Sequence, residues 1–387
     1  MRISAEALAP LLLGALEHEF TDRGLLPWRL PATARRQSTD PGVERVAAEP
    51  SGVHLDFRTE ASRLALITHP TRELTGDEIP HGAVYDVLVD GELYAQLSSP
   101  VQGVGTTRRS DPITGEVSST RGGDARIELP RLPPGAHDVQ IWLPHDERTE
   151  LVGLESDATV IPAGAEGTTR WLHHGSSISH GFAVSHPTGT WPVVAARAAG
   201  VQLTNLGLAG QAMLDPFTAR TIRSAQADVI SLKLGINITN GDTMRLRTFI
   251  PAVHGFLDTI REGPHAETPL LLVSPLHCAI QETRPGPLQM ELLESGPRFS
   301  SMGDSREVAS GKLTLQVIRR TLREIVQARR TEDPQLHFLD GLELFGEPDE
   351  AELPMPDQLH PDTAAQQRIG TRFANVALAP GGPLNLE

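Results

Sequence analysis

The chain predicts an α/β fold in two parts, a parallel-sheet domain preceded by an all-β, jelly-roll-like sandwich. Its 387 residues exceed the usual size of a single domain. Short strands punctuated by Gly, Pro and Asp fill residues 43 to 160, whereas apolar strands alternating with amphipathic helices follow Thr168. Between the two textures lies a linker-like stretch, Ile161 to Gly167. The expected division is therefore 1–42, an N-terminal helix and extension; 43–167, the sandwich; and 168–387, the α/β domain.

In the N-terminal segment, Ala7 to Leu16 is apolar, but Glu6 precedes it, Glu17 and Glu19 follow, and no small-residue cleavage site is evident. It reads as a short helix rather than a secretion signal. In the sandwich, Gly52–Phe57 and Arg63–Ile67 alternate apolar and polar residues with period two. Val84–Val89 and Leu93–Leu97 flank Asp90-Gly91, a pair suited to the positive φ of a tight hairpin turn. Ala125–Leu129 and His137–Leu143 continue the pattern across Pro130, Pro133, Pro134 and Gly135. Trp142, Tyr85 and Tyr94 could form a sugar-stacking face, although aromatic residues on strands more often enter a core.

Beyond the linker, strands are expected at 170–173, 201–206, 228–234, 269–274 and 336–339, and helices at 191–199, 216–225, 244–261, 307–329 and 363–378. Open parallel sheets bind ligands at the carboxyl ends of their strands. The chemically distinctive segments all fall there or in loops. The long stretch from Leu276 to Met302 exceeds a simple connector and is expected to shape a substrate pocket.

Composition narrows the function classes. Hydrophobic content of 39% and charged content of 21% are those of a globular protein, and no apolar run is long enough to span a bilayer. A net charge of −15 opposes a polyanionic partner, so nucleic acid is excluded as a non-specific ligand. Cys278, the single cysteine, cannot form an internal bridge and reads as a buried thiol in a reducing, cytoplasmic setting.

The chemistry concentrates in four separated segments. Trp171 to Gly181 ends a strand at Gly175-Ser176-Ser177, and a helix-forming run follows. Downstream lie Asn205 to Gly210, Leu234 to Asn237, and Asp357-Gln358-Leu359-His360. A serine hydroxyl is a poor nucleophile until an imidazole takes its proton and a carboxylate orients that imidazole. Ser177, His360 and Asp357 supply these three groups, and the three-residue spacing of Asp357 and His360 allows both on one side of a single turn. Asp362 is a rival carboxylate. The developing oxyanion needs donors, for which the backbone N–H of Ser177, the backbone N–H of Gly210 and the side-chain amide of Asn237 are the candidates.

These blocks resemble, in order, the four signature blocks of the SGNH, or GDSL-type, hydrolases, whose letters correspond here to Ser177, Gly210, Asn237 and His360. The resemblance covers Thr168 to Leu378 and implies a flavodoxin-like, three-layer α/β/α core and an acyl-serine intermediate. One position departs from the pattern: the Asp that usually precedes the nucleophile is Ser176. A preceding sandwich resembles a subgroup with a carbohydrate-module-like domain, including O-acyltransferases that tailor glycosylated polyketides such as salicylyl-bearing tetracycline glycosides. Arg29-Leu30-Pro31 and Gly52–Thr59 match that subgroup.

Three competing assignments are weaker. An α/β-hydrolase requires G-x-S-x-G and an acid far from its histidine, neither of which holds. Gly303-Asp304-Ser305 follows no strand and reads as a helix N-cap. His173, His174 and His180 crowd the nucleophile, but no HExxH or paired-cysteine spacing accompanies them, so neither a metal nor a cofactor is expected.

The expected function is acyl transfer from an acyl-CoA-type thioester to a hydroxyl of a glycosylated natural product. A hydrolytic esterase acting on acylated carbohydrates or small esters is the alternative, and a glycan-binding protein the minor one. In each case the partners are small molecules, with neither nucleic acid nor membrane involved.

Overall fold

The computed structural model describes residues 1–164, 167–293 and 296–386. Ala165 and Glu166, within the expected linker, and Glu294, Ser295 and Glu387 lie outside the described residues. The chain divides into two compact units: Met1–Arg35, Glu44–Gly167 and His186–Thr188 make the first, and Arg36–Val43, Thr168–Ser185 and Gly189–Glu387 the second. No helix among the described residues is long and apolar enough to cross a membrane.

Two sheets build the first unit. The larger has eight strands, with Val117–Arg121, Thr106–Ser110, Leu64–Thr75, Arg148–Ser156, Leu25–Trp28 and Glu17–Phe20 in spatial order. Arg2–Ser4 pairs with Arg148–Ser156, and Ala125–Glu128 with Leu64–Thr75. The smaller runs Val160–Pro162, His54–Thr59, His137–Trp142, Val84–Val89 and Glu92–Ser98, with Leu12–Leu13 beside His54–Thr59. Leu25, Leu66, Ile127 and Leu151 from the larger sheet and Leu55, Phe57, Val87 and Ile141 from the smaller enter one buried cluster. The period-two patterning thus sorts side chains between a shared core and the outside. At the expected hairpin, Val89 pairs with Glu92 across Asp90 and Gly91, at φ 51° and 84°, the positive values such a turn demands.

Several expectations are corrected here. Residues 7–16 do not form one helix: a helical turn, Ala5–Leu8, and a 3₁₀ turn, Ala9–Leu11, give way to the strand Leu12–Leu13. Pro10 tolerates only the start of such a turn, and sheet pairing claims the leucines that follow. Nor is 1–42 a separate extension, since four strands from it join the two sheets. The first part of the expected linker, Val160–Pro162, is a strand paired with His54–Thr59. Of the three candidate stacking aromatics, Tyr85 and Trp142 are buried, the latter against His54, and Tyr94 is exposed.

In the second unit, Arg170–Gly175, Gln202–Gly207, Val229–Lys233, Leu270–Val273 and Leu336–Leu339 form a five-stranded sheet. Every pairing is parallel, and counted in chain order the spatial order is 2-1-3-4-5, the flavodoxin-like doubly wound arrangement. The central strands Val229–Lys233 and Leu270–Val273 are buried at every position because both faces are covered, as parallel sheets require. The helix Trp191–Ala199 has Pro192 in its first turn and closes on Gly200 at φ 65°, the residue types those positions favour. The helix expected from residue 307 instead starts at Leu315. Gly311, at φ 91°, ends a preceding 3₁₀ turn, and the Thr314 side chain caps the α-helix Leu315–Arg329. Asp304 caps that 3₁₀ turn by accepting from the Arg306 amide, the role read for the Gly303-Asp304-Ser305 triplet.

Candidate active site

The strand Arg170–Gly175 delivers the chain to a single helical turn, Ser177–His180, which Gly181 terminates at φ 107°. Buried polar groups fix this turn from below. The His173 ring places Nδ1 2.7 Å from Ser231 Oγ and Nε2 2.8 Å from Ser179 Oγ, and Trp171 Nε1 donates to the same Ser231 oxygen. Asn205 Nδ2 donates to the Ser179 carbonyl, while Asn205 Oδ1 accepts from the Gly207 amide. Two glycines make the close approach possible. A Cβ on Gly175 would lie 2.4 Å from Ser179 Oγ, and one on Gly207 would lie 2.4 Å from the His180 nitrogen.

Above this frame, His360 Nε2 lies 2.9 Å from Ser177 Oγ, and His360 Nδ1 lies 2.6 Å from Asp357 Oδ2. All three side chains are buried, so the contacts are made in a weakly screening environment. The Asp357-to-His360 turn is self-bracing. Asp357 Oδ1 accepts from the amides of Leu359 and His360, with Gln358 at φ 68° reversing the chain. Burial pushes the Asp357 carboxyl upward, but hydrogen bonds from His360 and these amides outweigh it and hold the group below its ordinary value. Asp362, the rival carboxylate, points elsewhere: it caps the helix Thr363–Phe373 by accepting from the Ala365 amide.

Gly210 adopts φ 72°, a backbone conformation that excludes most other residues. Asn237 sits in the short helix Ile236–Gly241, which follows the strand Val229–Lys233 through Gly235 at φ 115°. Its side chain is buried, and Oδ1 accepts from the Ala212 amide, so the Gly210 loop and Asn237 are tied together. With the carbonyl side engaged, Nδ2 is the end of that amide left to donate.

Histidines next to Ser177 serve as framework. Burial first, then the nearby His174 and Lys233, hold His173 well below its ordinary value; burial lowers His174 to about 4. Both rings are therefore neutral at pH 7, and His174 Nδ1 meets the Leu206 carbonyl. Cys278 is buried with Sγ near the Gln358 carbonyl, and burial pushes its thiol up, away from nucleophilic character. Sequence reasoning missed three features. Phe182 and Phe299 pack against the His360 ring, with centroids at 4.4 and 5.6 Å. Lys233 is almost completely buried, which lowers its amine to about 7. For Phe299 a signal existed: Leu288, Met290 and Leu292 alternate with polar residues inside the long stretch read as a loop.

Residues 12–148 match the family model of the SsfX3 N-terminal domain. Across 96% of this chain and 95% of the other, the structure is similar to the salicylyl-acyltransferase SsfX3 from a tetracycline biosynthetic pathway, at 27% identity and a TM-score of 0.77. In fold the chain resembles acyltransferases and GDSL-type ester hydrolases. A proposed GDSL-like lipase from Bacteroides ovatus shares the fold over 96% of this chain and 95% of its own, at 17% identity and a TM-score of 0.67. A family two carbohydrate esterase from Clostridium thermocellum does so over 94% and 97%, at 12% identity and a TM-score of 0.59. No curated protein matches this chain in sequence.

Proposed function

We propose that this enzyme is an O-acyltransferase that works through an acyl-Ser177 intermediate, with His360 as general base and acid and Asp357 as its orienting carboxylate. The observation that carries this reading is the buried relay of 2.6 and 2.9 Å running from Asp357 through His360 to Ser177 Oγ. Ser177 Oγ attacks the carbonyl carbon of the donor while its proton passes to His360 Nε2. Asp357 keeps the other ring nitrogen in the donor tautomer and stabilises the imidazolium that forms. The tetrahedral oxyanion is received by the amides of Ser177 and Gly210 and by Asn237 Nδ2. As the first residue of a helical turn, Ser177 has no intrahelical acceptor for its amide, which leaves that N–H available.

Collapse of the intermediate expels the thiol or alcohol, which takes the proton from His360. An acceptor hydroxyl then attacks the acyl-serine while His360 removes its proton, and as the acyl–Oγ bond breaks that proton passes from His360 Nε2 to Ser177 Oγ. We assign the donor to the acyl-CoA-type thioesters and the acceptor to glycosylated natural products, on the likeness to a salicylyl-acyltransferase at 27% identity. The first unit is read as a carbohydrate-module-like β-sandwich built on residues 43–167 with strands added from 1–42, and residues 168–387 as the catalytic domain. A cytoplasmic setting supplies such thioesters. Water entering in place of the acceptor makes the same groups an esterase, the reading that the fold shared with carbohydrate esterases favours.

Intact-mass measurement with a panel of esters and acyl-CoA thioesters tests the proposal. A donor-specific mass gain is expected in the native chain and none in Ser177→Ala; an equal gain in both would overturn the assignment. Adding alcohols to the acylated species and comparing deacylation with that in water separates transfer from hydrolysis.

A further inference from the structure

The strands Leu288–Leu293 and Gly296–Ser301 form an antiparallel hairpin, with Leu288 opposite Ser301, Met290 opposite Phe299 and Leu292 opposite Pro297. Residues directly opposite one another in such a pair project from the same face. Leu288, Met290, Leu292, Pro297 and Phe299 therefore share one face, whereas Gln289, Glu291, Arg298 and Ser300 share the other. At one point the apolar face meets the reacting groups: the Phe299 ring stands edge-on to the His360 ring, 5.6 Å away, and the Phe299 amide donates to the Asp357 carbonyl.

Beyond that contact the face is open. Met290 is 58% exposed and Leu292 73%, and Phe182, whose ring also touches His360, is 47% exposed. A hairpin packed only for stability would bury its apolar side, and one meant to face water would carry polar residues there. An apolar surface that begins at the catalytic imidazole and continues into solvent awaits part of a ligand whose reactive carbonyl is already at Ser177.

We propose that this hairpin face, together with Phe182, is the specificity-determining subsite of the enzyme and takes an extended or flat apolar group attached to the reacting ester or thioester. The inference rests on the proposed roles of Ser177 and His360. A small acetyl ester leaves this surface uncovered, so discrimination arises from contacts made only by larger substrates. The apolar group can belong to the acyl part or to the alcohol part, and the test has an arm for each.

Hydrolysis of ethyl octanoate against ethyl acetate varies the acyl part, and octyl acetate against ethyl acetate varies the alcohol. The native enzyme is expected to prefer the longer member in at least one arm. The double substitution Met290→Ser, Leu292→Ser, on exposed positions, should lower that preference about tenfold, chiefly through KM. Titration calorimetry of octanoate and octanol into Ser177→Ala protein, with and without the hairpin substitutions, reads the same contacts without turnover. Selectivity and binding that ignore the substitutions in both arms overturn the proposal. So does concentration-dependent dimerisation of the native chain that the substitutions abolish, because the face would then belong to a second copy. Full turnover by Ser177→Ala with selectivity still following the hairpin would remove the nucleophile assignment and leave this subsite standing.

Discussion

Asp357 and Asp362 are five positions apart in a polar segment, yet one faces the imidazole at 2.6 Å and the other a helix amide at 3.0 Å. Their substitutions should therefore separate cleanly. Asp357→Asn leaves the shape of the turn but supplies the wrong hydrogen-bonding partner to His360, and kcat should fall about 10³ to 10⁴-fold. Asp362→Asn should keep kcat within about twofold, because asparagine is as good a cap as aspartate. Steady-state kinetics on one ester decide this; equal losses would show that the acid has been assigned wrongly. Asn237→Ala should lower kcat about 10² to 10³-fold if its Nδ2 receives the oxyanion, while leaving the Ser177 to His360 contact intact. The convergence of Ser177, His360 and Asp357 was legible because they sit in short segments with characteristic chemistry, and an acid three residues before a histidine can share its turn. The contacts of Phe182 and Phe299 with His360 were not, since they join residues far apart in sequence; the alternation of Leu288, Met290 and Leu292 signals only the strand opposite Phe299.

Elements in the second unit were readable where periodicity and punctuation agree. Trp191–Ala199 lies between Thr190 and Gly200, and the apolar runs are clearest in Val229–Lys233 and Leu270–Val273. The strands Thr106–Ser110 and Val117–Arg121 went unread because they are polar, the second exposed throughout; their neighbours in the sheet, rather than their own pattern, place them. Close packing between elements gives a second kind of prediction. In Gly207→Ala the new methyl would meet backbone at His180, which cannot rotate away as a side chain could. The Ser177–His180 turn must shift, so kcat should drop at least about tenfold and the melting temperature should fall with it. An unchanged melting temperature would show that the turn yields freely. Asp349 ties the helix Glu347–Glu352 to Thr363–Phe373 through Arg368 and Arg372. Burial pushes its carboxyl up, but bonds from Arg372, the Gly346 amide and Arg368 prevail and set it at about 2, below the ordinary 3.8. Because the folded value is the lower one, this stabilisation is complete above pH about 4 and is lost as pH falls towards 2. Asp349→Asn should cost about 1–2 kcal/mol at pH 7 in denaturant titration, with the deficit shrinking across that acid window.

At the scale of the whole chain, the two units are not consecutive in sequence. Arg36–Val43 groups with the second unit and His186–Thr188 with the first. Each short segment is held by specific bonds within its own unit. Asp40 Oδ2 accepts from Gln211, and Arg220 donates to Gln37. The buried Asp86 carboxylate accepts from His186 Nδ1, the Thr188 amide and Gln96. The change of texture near residue 167 marked where most of the chain passes from one unit to the other, but exchanges this short carry no periodicity of their own and leave no trace in composition. A cut at that point consequently removes bonds from both products. The fragment 168–387 lacks the segment carrying Gln37 and Asp40, and 1–167 leaves the Asp86 carboxylate without the donors of His186 and Thr188. Asp86→Ala in the full chain isolates the second effect: His186 and Thr188 lose a shared charged acceptor, and stability should fall by about 2–4 kcal/mol. Denaturant titration should register that loss, and the separated fragments should unfold at lower denaturant than the intact chain. Fragments as stable as the intact chain would mean that the short segments contribute only connection.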